Sequence, residues 1–444
     1  MSRGSLDWLG IARLGLVQTS LGSIVVLTTT TINRVMVVEL SMMAIIPGLL
    51  VAWHYALQVL RPRWGHGSDN GGKRTPWIIG GMATLAAGGL LAALSVWLAS
   101  DVLWAGLALS FVAFTLIGIG VGASGTSLLV LLAETVPPER RGAAATVVWL
   151  MMIVGFILTT IIAGKFLDPF SMQRLVVIAA AVSGIAFMLS TLAVWGIETS
   201  HARHAKPKPQ AEKVDFSQAL KDVWADIDAR RFAIFVFISM LAYSAQELII
   251  DPFAGFIFSY TPGQSTSLSG GQHSGALLGM ICVGVASSFA GKAKALALRN
   301  WTVAGCIASA LALAGLVAAA RVGVDWPLNQ NVFALGFANG MFAVAAIGSM
   351  FSAAAGQSSR EGIRMGLFGA SQAIAFAAGG FLGTITADIL KFFTQSNAIS
   401  YGTVFGLEAV LFVVSALLAL RIGAAKTSDV KPLALDAQQE LACP

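Results

Sequence analysis

Acidic residues lie in the middle of a stretch that otherwise has the composition of a membrane span. Residues 242–266, AYSAQELIIDPFAGFIFSYTPGQST, contain Gln246, Glu247 and Asp251, and Pro252 follows at once. Carboxylates four residues apart share one face of a regular helix, and acids inside hydrocarbon usually face a bundle interior and mark a functional pathway. Pro252 is expected to break or kink the helix just after the pair. The stretch therefore predicts an internal polar site; the alternative is a span that ends early, with both acids among the headgroups.

A second group of polar residues ends the first predicted span. It contains Asn33, Arg34 and Glu39. Arg34 needs an anionic partner, and Glu39, five residues later, is poorly placed for that role on a regular α-helix. In a fold of two equivalent bundles the first and seventh spans occupy equivalent positions. Glu247 or Asp251 is therefore the predicted partner of Arg34.

Single histidines and acids elsewhere give weaker signals. His54 lies inside the second predicted span and is either a metal ligand or a histidine hydrogen-bonded within its bundle. His273 is predicted to lie in a loop, and Asp388 and Glu408 are predicted near span ends, in the interfacial region. Three scattered cysteines provide neither a disulfide framework nor a metal-ligand spacing. Walker loops, zinc-binding helices and nucleophile elbows are absent from the sequence, so we expect neither an enzyme nor a metal site.

The elements that position these residues are strongly apolar. Of the 444 residues, 56% are hydrophobic and 11% are charged, whereas about a quarter are charged in soluble domains. The mean hydropathy is +0.78. The net charge of +6 does not indicate nucleic-acid binding, because Lys and Arg cluster at the ends of alternate apolar segments, as in membrane proteins.

Twelve apolar segments are long enough to cross a bilayer. They lie at about residues 14–38, 42–61, 76–99, 102–133, 142–165, 172–197, 232–260, 274–298, 300–320, 330–356, 362–388 and 400–422. If both termini are cytoplasmic, 23 of the 28 Lys and Arg residues lie on the cytoplasmic side, 4 lie opposite, and Arg34 lies within a span. This asymmetry predicts a multi-pass protein with both termini in the cytoplasm.

Six spans, a long polar segment and six further spans predict two bundles. The predicted parts are an interfacial N-terminal lead at 1–13, an N-terminal six-helix bundle at 14–197, a cytoplasmic linker at 198–231, a C-terminal six-helix bundle at 232–422 and a cytoplasmic tail at 423–444. The second half of the linker has helical apolar spacing, which predicts an amphipathic helix on the membrane surface or, alternatively, a helix that docks a soluble partner. Similar loops after spans four and ten, AETVPPERRGAAATV and AAGQSSREGIRMGLF, support two related halves.

The loop between spans two and three resembles the signature loop of the major facilitator superfamily, G-x-x-x-D-x-x-G-[RK]-[RK]. The matching residues are Gly65, Asp69, Gly72, Lys73 and Arg74. The resemblance implies a cytoplasmic latch between two bundles, in which Lys73 or Arg74 pairs with an acid such as Glu134. Asn70 stands where the family often has arginine, which weakens the latch. The loop PPERRG, with Arg140 and Arg141, is also typical of that superfamily; the alternative is a solvated basic loop.

Three longer stretches resemble one branch of this superfamily, the bacteriochlorophyll-delivery (PucC/LhaA) family of purple phototrophic bacteria. They are LGSIVVLTTTTINRVMVVEL, WHYALQVLRPRWGHGSD and AYSAQELIIDPFAGFIFSYTPGQST. The continuation TPGQSTSLSGGQHSG is more similar to the LhaA branch than to the PucC branch. The resemblance covers nearly the whole chain and leaves out mainly the central linker and the C-terminal tail.

This resemblance implies an all-α membrane protein with twelve transmembrane helices in two six-helix bundles and the major facilitator superfamily fold. It implies an assembly factor for the core light-harvesting antenna, which binds bacteriochlorophyll transiently and delivers it in the bacterial inner or intracytoplasmic membrane. The implied partners are bacteriochlorophyll, antenna polypeptides, the reaction centre, and pigment-synthesis and membrane-insertion proteins.

The same resemblance implies roles for the polar residues. The implied central pathway consists of Asn33, Arg34, Glu39, Gln246, Glu247 and Asp251, and His54 is a candidate pigment ligand. Two alternatives stay open. One is a proton-coupled secondary transporter of a small amphipathic solute, with Glu247 and Asp251 as the proton-binding groups. The other is a membrane scaffold that transports nothing.

Overall fold

The computed structural model describes residues 6–58, 73–137, 140–198, 225, 227–289, 294–354 and 361–421, and the regular structure within these ranges is helical throughout. Helix α1, Trp8–Leu27, continues into two π-helical turns, Thr28–Ile32 and Val35–Glu39. The other helices of the first bundle are α2 (Ile45–Leu57), α3 (Thr75–Asp101), α4 (Leu103–Thr135), α5 (Arg141–Leu167) and α6 (Met172–Val194).

The second bundle repeats this order. It contains α7 (Ile227–Glu247), α8 (Ile250–Phe258), α9 (Pro262–Ser288), α10 (Lys294–Val322), α11 (Leu328–Ala354), α12 (Glu361–Thr394) and α13 (Asn397–Arg421). Each bundle has its own apolar core. Small residues allow close helix packing: at Gly336 and Gly340 of α11, any side chain would collide with backbone carbonyls of α9.

The chain is a multi-pass helical membrane protein. Within the described ranges, nine helices are long and apolar enough to cross a membrane, and the bent pair α7–α8 makes ten if it is counted as one span. Helix α2 is shorter, with 13 residues. Helix α9 has 27 residues but is rich in Ser, Gly and Gln, and it does not pass the same test. The number of twelve spans therefore stays a prediction.

Helices α9 and α1 both begin earlier than the apolar pattern indicates. Helix α9 begins at Pro262, well before residue 274, because Thr261 and Gln264 form a capping box directly around that proline. His273 consequently lies inside a helix, so its predicted position in a loop is wrong. Helix α1 begins at Trp8, where the Asp7 side chain accepts a hydrogen bond from the Gly10 N–H. The predicted lead, 1–13, thus includes the first helical turns.

The two bundles are joined at one end of the molecule by two aspartates. Asp388 of α12 accepts hydrogen bonds from the N–H groups of Ala44 (3.0 Å) and Ile45 (2.7 Å) where α2 begins. Asp168, after α5, accepts hydrogen bonds from the Thr261 hydroxyl (2.6 Å) and the Gly263 N–H (3.3 Å) where α9 begins. Carboxylates are stabilised there because the first N–H groups of a helix lack internal partners and carry partial positive charge.

We call this end of the molecule, which carries the connections at 40–44, 168–171 and 259–261, the Asp168 face. Helices α5 and α12 are each the fifth member of their bundle, counting the pair α7–α8 as the first member of the second. Helices α2 and α9 are likewise each the second. We call each of these aspartate contacts a joint. In both joints the fifth helix of one bundle provides the aspartate and the second helix of the other bundle provides the N-terminus, so the two joints are equivalent.

Candidate functional site

The acidic stretch forms a broken helix. Helix α7 ends at Glu247, α8 begins at Ile250, and the two axes differ by 41°. Pro252 lies in the first turn of α8, and because proline has no N–H, the carbonyl of Leu248 loses its helical donor. The break accordingly falls between Glu247 and Asp251. The prediction that it follows both acids is wrong, as is the prediction that they share one helical face.

The first bundle provides the missing donor. Asn33 Nδ2 donates a hydrogen bond to the Leu248 carbonyl at 2.8 Å, and the Asn33 side chain is buried. Asn33 itself lies between the two π-helical turns of α1. Two positions before Asn33, the Thr31 hydroxyl forms a hydrogen bond of 2.9 Å with the Thr266 hydroxyl across the same interface. The irregular segments of the two bundles thus face each other at one internal site.

Arg34 is paired within its own helix. Its Nη1 lies 2.6 Å from Oε1 of Glu39, and its Nη2 donates a hydrogen bond to the Tyr260 carbonyl at 2.5 Å. The prediction that Glu247 or Asp251 forms the ion pair with Arg34 is therefore wrong, although the guanidinium charge still attracts the Asp251 carboxylate. The reason is local geometry: Val35–Glu39 is π-helical, and i→i+5 bonding brings the residue five positions on into register with Arg34.

Asp251 is held by α9. Both of its carboxylate oxygens accept a hydrogen bond from the Ser269 hydroxyl, at 2.8 and 2.9 Å, and the side chain is buried. Asp251 also lies in the first turn of α8, where the helix N-terminus stabilises negative charge.

Three polar residues of α9 lie on one helical face, because they are three and four positions apart. Thr266 bonds Thr31, Ser269 bonds Asp251, and the ring of His273 contacts that of Phe156 in α5 edge-on, with 4.9 Å between centroids. We call Thr266, Ser269 and His273 the α9 stripe. Apolar periodicity does not predict this stripe, because the low hydropathy of the region indicates a loop. The signal that predicts it is the polar i, i+3, i+7 spacing after the capping box.

Glu247 and Gln246 have different surroundings. The half-buried Glu247 lies near the Tyr243 hydroxyl, one turn earlier. The Tyr243 ring contacts Phe376 of α12 (5.8 Å between centroids), which in turn contacts Tyr55 of α2 (5.7 Å) in the other bundle. Glu247 thus adjoins an aromatic contact between the bundles.

Gln246 is fully buried, with 0% exposure, and neither atom of its amide forms a hydrogen bond with any described residue. It is spaced four, seven and eleven positions after Ala242, Ser239 and Phe235, all of them buried. This spacing puts Gln246 on the helical face that packs inside the second bundle.

Glu408 is a buried acid that the sequence analysis placed wrongly. It lies in the middle of α13, is 2% exposed, and neither of its carboxylate oxygens has a hydrogen-bond partner in the described part of the chain. The prediction of an interfacial position is wrong because α13 extends well beyond it on both sides. Asp388 does lie near a helix end, where it forms the joint with α2.

His54 is 1% exposed, and its ring lies 4.1 Å from that of Tyr55. Its backbone packs closely against Gly118 of α4. In this conformation the protein encloses the His54 ring, and its role as a pigment ligand stays a prediction.

The predicted pairing of Arg74 with Glu134 is present, with Nη2 and Oε1 2.8 Å apart. Glu198 caps the same region, since its carboxylate accepts hydrogen bonds from the N–H groups of Arg74 (2.5 Å) and Thr75 (2.9 Å). Arg141 Nε donates a hydrogen bond to the Val136 carbonyl.

These contacts lie within the first bundle, so a latch between bundles stays a prediction. Of the other predicted latch residues, Lys73 and Arg140 are exposed, and Gly65, Asp69 and Gly72 lie outside the described residues.

Two clefts open on the Asp168 face. One has a volume of about 660 Å³ and is lined by Arg34, Glu39, Asp168 and Tyr260, among others. The other, of about 440 Å³, shares Asp168 and Tyr260 and adds Lys165. Within the described ranges, no group of three or more His, Cys, Asp or Glu side chains is arranged to hold a metal ion.

Comparisons with known proteins agree on one relationship. A family profile described as PUCC protein matches residues 31–427. A protein of Rhodobacter capsulatus named "Bacteriochlorophyll synthase 44.5 kDa chain" is 50% identical over 423 residues, which cover 95% of this chain and 97% of that protein. "Protein PucC" of the same species is 25% identical over 423 residues, covering 91% and 90% of the two chains.

The fold is similar to that of solved transporters. The crystal structure of a D-xylose-proton symporter superposes with a TM-score of 0.65 and 13% sequence identity, covering 90% of this chain and 96% of that one. At this identity the similarity shows the fold alone, which this chain shares with the solved transporter.

Proposed function

Because this chain belongs to the PUCC protein family, and thereby to a group of bacteriochlorophyll-associated proteins of purple bacteria, we propose that it is an assembly factor for the core light-harvesting antenna. It binds bacteriochlorophyll and delivers it to antenna polypeptides. Family membership supports a role in photosynthesis, and the relative that is 50% identical has a name that refers to bacteriochlorophyll. Assignment to the LhaA branch remains a prediction.

The observation that carries the proposal is the contact of the broken helix α7–α8 with the π-helical part of α1. Broken helices at the interface of two bundles are where transporters of related architecture bind their substrates. Here the contact concentrates buried polar groups, including Asn33, Arg34 and Asp251, in an otherwise apolar fold. Arg34 Nε and Asn33 Oδ1 have no hydrogen-bond partner among the described residues, which leaves a donor and an acceptor for a ligand.

The seam between α2 and α12 provides the complementary apolar surface. Tyr55, Phe376 and Tyr243 lie in ring contact across it. A chlorophyll-type pigment is a flat apolar macrocycle with a few carbonyl substituents, and sites for such molecules combine aromatic walls with a few placed polar groups. We propose that pigment passes through this seam to reach Asn33 and Arg34, and that its polar substituents are then directed towards these two residues.

The proposed topology has twelve spans in the bacterial inner or intracytoplasmic membrane, with both termini cytoplasmic. In this assignment α2 and the polar α9 complete the set, since both lie between helices that pass the span test. The proposed partners are bacteriochlorophyll, antenna polypeptides, the reaction centre, and pigment-synthesis and membrane-insertion proteins. The protein binds its pigment as cargo and has no catalytic role in this proposal.

Deletion of the gene in a phototrophic host tests the proposal. We expect a lower amount of core antenna while pigment synthesis continues, and recovery when the gene is restored on a plasmid. The absorption spectrum of the purified protein, which we expect to contain bound pigment, provides the direct measurement. Unchanged antenna levels in the deletion strain contradict the proposal, and a pigment-free spectrum together with lowered antenna favours a scaffold.

A proton-coupled transporter is the second candidate, favoured by one observation: Asp251 is a buried carboxylate beside a helix break. Acids at such positions serve as proton sites in transporters. Reconstitution into liposomes separates the two functions, because a transporter accumulates a soluble solute when a proton gradient is imposed. Uptake that depends on the gradient and is lost in Asp251→Asn supports transport.

A further inference from the structure

His273 lies where α9 of the second bundle meets α1 and α5 of the first bundle. Its ring contacts Phe156 of α5 across the interface. The Phe156 ring in turn packs against Gly22 of α1, where any side chain would collide with it. His273 also continues the α9 stripe, whose other members contact Thr31 and Asp251. The imidazole therefore faces the interior, one turn beyond the Asp251–Ser269 hydrogen bond.

The tautomer of His273 follows from its hydrogen bond. Nδ1 lies 2.7 Å from the Ser269 backbone carbonyl, and because a carbonyl can only accept, Nδ1 must carry the hydrogen. In the neutral ring Nε2 then has the free lone pair. Nε2 forms no hydrogen bond with a described residue, and the side chain is half-buried. Histidines that bind metals commonly have this arrangement, with the second ring nitrogen bonded to a backbone carbonyl.

The edge-on contact with Phe156 restricts rotation of the imidazole, since aromatic pairs favour this geometry. A preoriented ring with one free nitrogen suits a metal that needs a single protein ligand. The central magnesium of a tetrapyrrole is such a metal, because the macrocycle supplies four nitrogens in a plane and leaves an axial position. A lone histidine is therefore sufficient, in agreement with the lack of any three-ligand cluster in the described ranges.

We propose that Nε2 of His273 is the axial ligand of magnesium in a bound tetrapyrrole, an inference that rests on the proposed pigment-binding function. The Ser269 carbonyl fixes the tautomer, Phe156 fixes the ring plane, and the site lies next to the buried polar groups of α1 and α8. Half-buried His273 replaces fully buried His54 as the residue that meets the pigment.

Ligand binding by the purified full-length protein in detergent tests this inference. The probes are bacteriochlorophyllide a, which contains magnesium, and bacteriopheophorbide a, which lacks it. We expect the wild-type protein to bind the magnesium form about tenfold more tightly, equivalent to about 1.4 kcal/mol. His273→Gln is expected to remove this preference while the affinity for the metal-free form stays unchanged. His54→Gln is the matched control and is expected to keep the preference.

Two further measurements guard against effects on folding. In His273→Gly, added imidazole is expected to restore the preference for the magnesium form, and resonance Raman spectra are expected to report five-coordinate magnesium in the wild type and in the rescued variant. Persistence of the preference in His273→Gln overturns the inference. Equal wild-type affinity for both probes also overturns it and leaves pigment binding intact, whereas failure to bind either probe contradicts the proposed function itself.

Discussion

The side-chain amide of Asn33 takes the hydrogen-bonding position that Pro252 cannot fill, by donating to the Leu248 carbonyl at 2.8 Å. A proline in one bundle is thus matched by an asparagine in the other. The pairing explains how a broken helix remains stable inside an apolar fold, where a carbonyl without a donor costs free energy. It also couples the two bundles at the depth of the candidate site.

Substitution of Asn33 tests this pairing. In Asn33→Ala the Leu248 carbonyl loses its donor, and we expect the free energy of unfolding to fall by about 1–3 kcal/mol, measured as a lower thermal midpoint in detergent. Pro252→Ala returns an N–H to α8. The double variant Asn33→Ala with Pro252→Ala is therefore expected to be more stable than Asn33→Ala alone; additive destabilisation contradicts the pairing.

The partner of Arg34 can be identified by charge exchange. Arg34→Glu alone is expected to lower both stability and pigment binding, because it places two acids side by side at a buried position. Combining it with Glu39→Arg is expected to restore part of the loss, since the pair is re-formed with its charges reversed. Arg34→Glu with Asp251→Arg serves as the control, and recovery in that variant rather than the first assigns the partner to Asp251.

We predict that the two aspartate contacts of the Asp168 face control access to the internal site from that side. Asp168→Asn and Asp388→Asn each weaken a charge-assisted hydrogen bond to a helix N-terminus. We expect a cysteine at position 267, which faces Gly164 across the interface, to react faster with a water-soluble maleimide in each variant, and fastest in the double variant. The native cysteines are first replaced. Asp101→Asn, an exposed acid of the same face, is the control and is expected to change nothing.

Glu408 is predicted to reduce stability in its charged form. An unpaired carboxylate in an apolar core is costly, so Glu408→Gln is expected to keep or raise the thermal midpoint. Glu134→Gln, which removes the partner of Arg74, is expected to lower it and provides the contrast. A marked fall in the midpoint of Glu408→Gln means that the carboxylate has a partner outside the described residues.

Apolar periodicity and the distribution of basic residues were sufficient to predict a helical, two-bundle membrane protein. They missed the first half of α9, residues 262–273, because its Ser, Gly and Gln residues lower the hydropathy of a segment that helices bury on nearly every side. The capping box at Thr261 is a local signal that hydropathy does not read. His273 was misplaced for the same reason.

The sequence was sufficient to predict which residues belong to the internal site, but it did not predict which residues they contact. Asn33, Arg34 and Asp251 all belong to it, yet the Arg34–Glu39 pair depends on a π-helical turn, whose presence no residue pattern in α1 announces. Gln246 and Glu247 are adjacent in the chain but point in different directions. Which face of a helix meets which neighbour depends on packing between helices, and a single sequence contains little information about it.

The two joints of the Asp168 face have the geometry of contact between identical partners. Each bundle contributes one acid and one helix start, and each receives the same from the other, as subunits do in a dimer with two-fold symmetry. A six-helix ancestor with a single aspartate and a single exposed helix start would form both joints by pairing with its own copy. After duplication and fusion, a change in either half alters only one of two formerly identical contacts, so this face can become asymmetric in small steps.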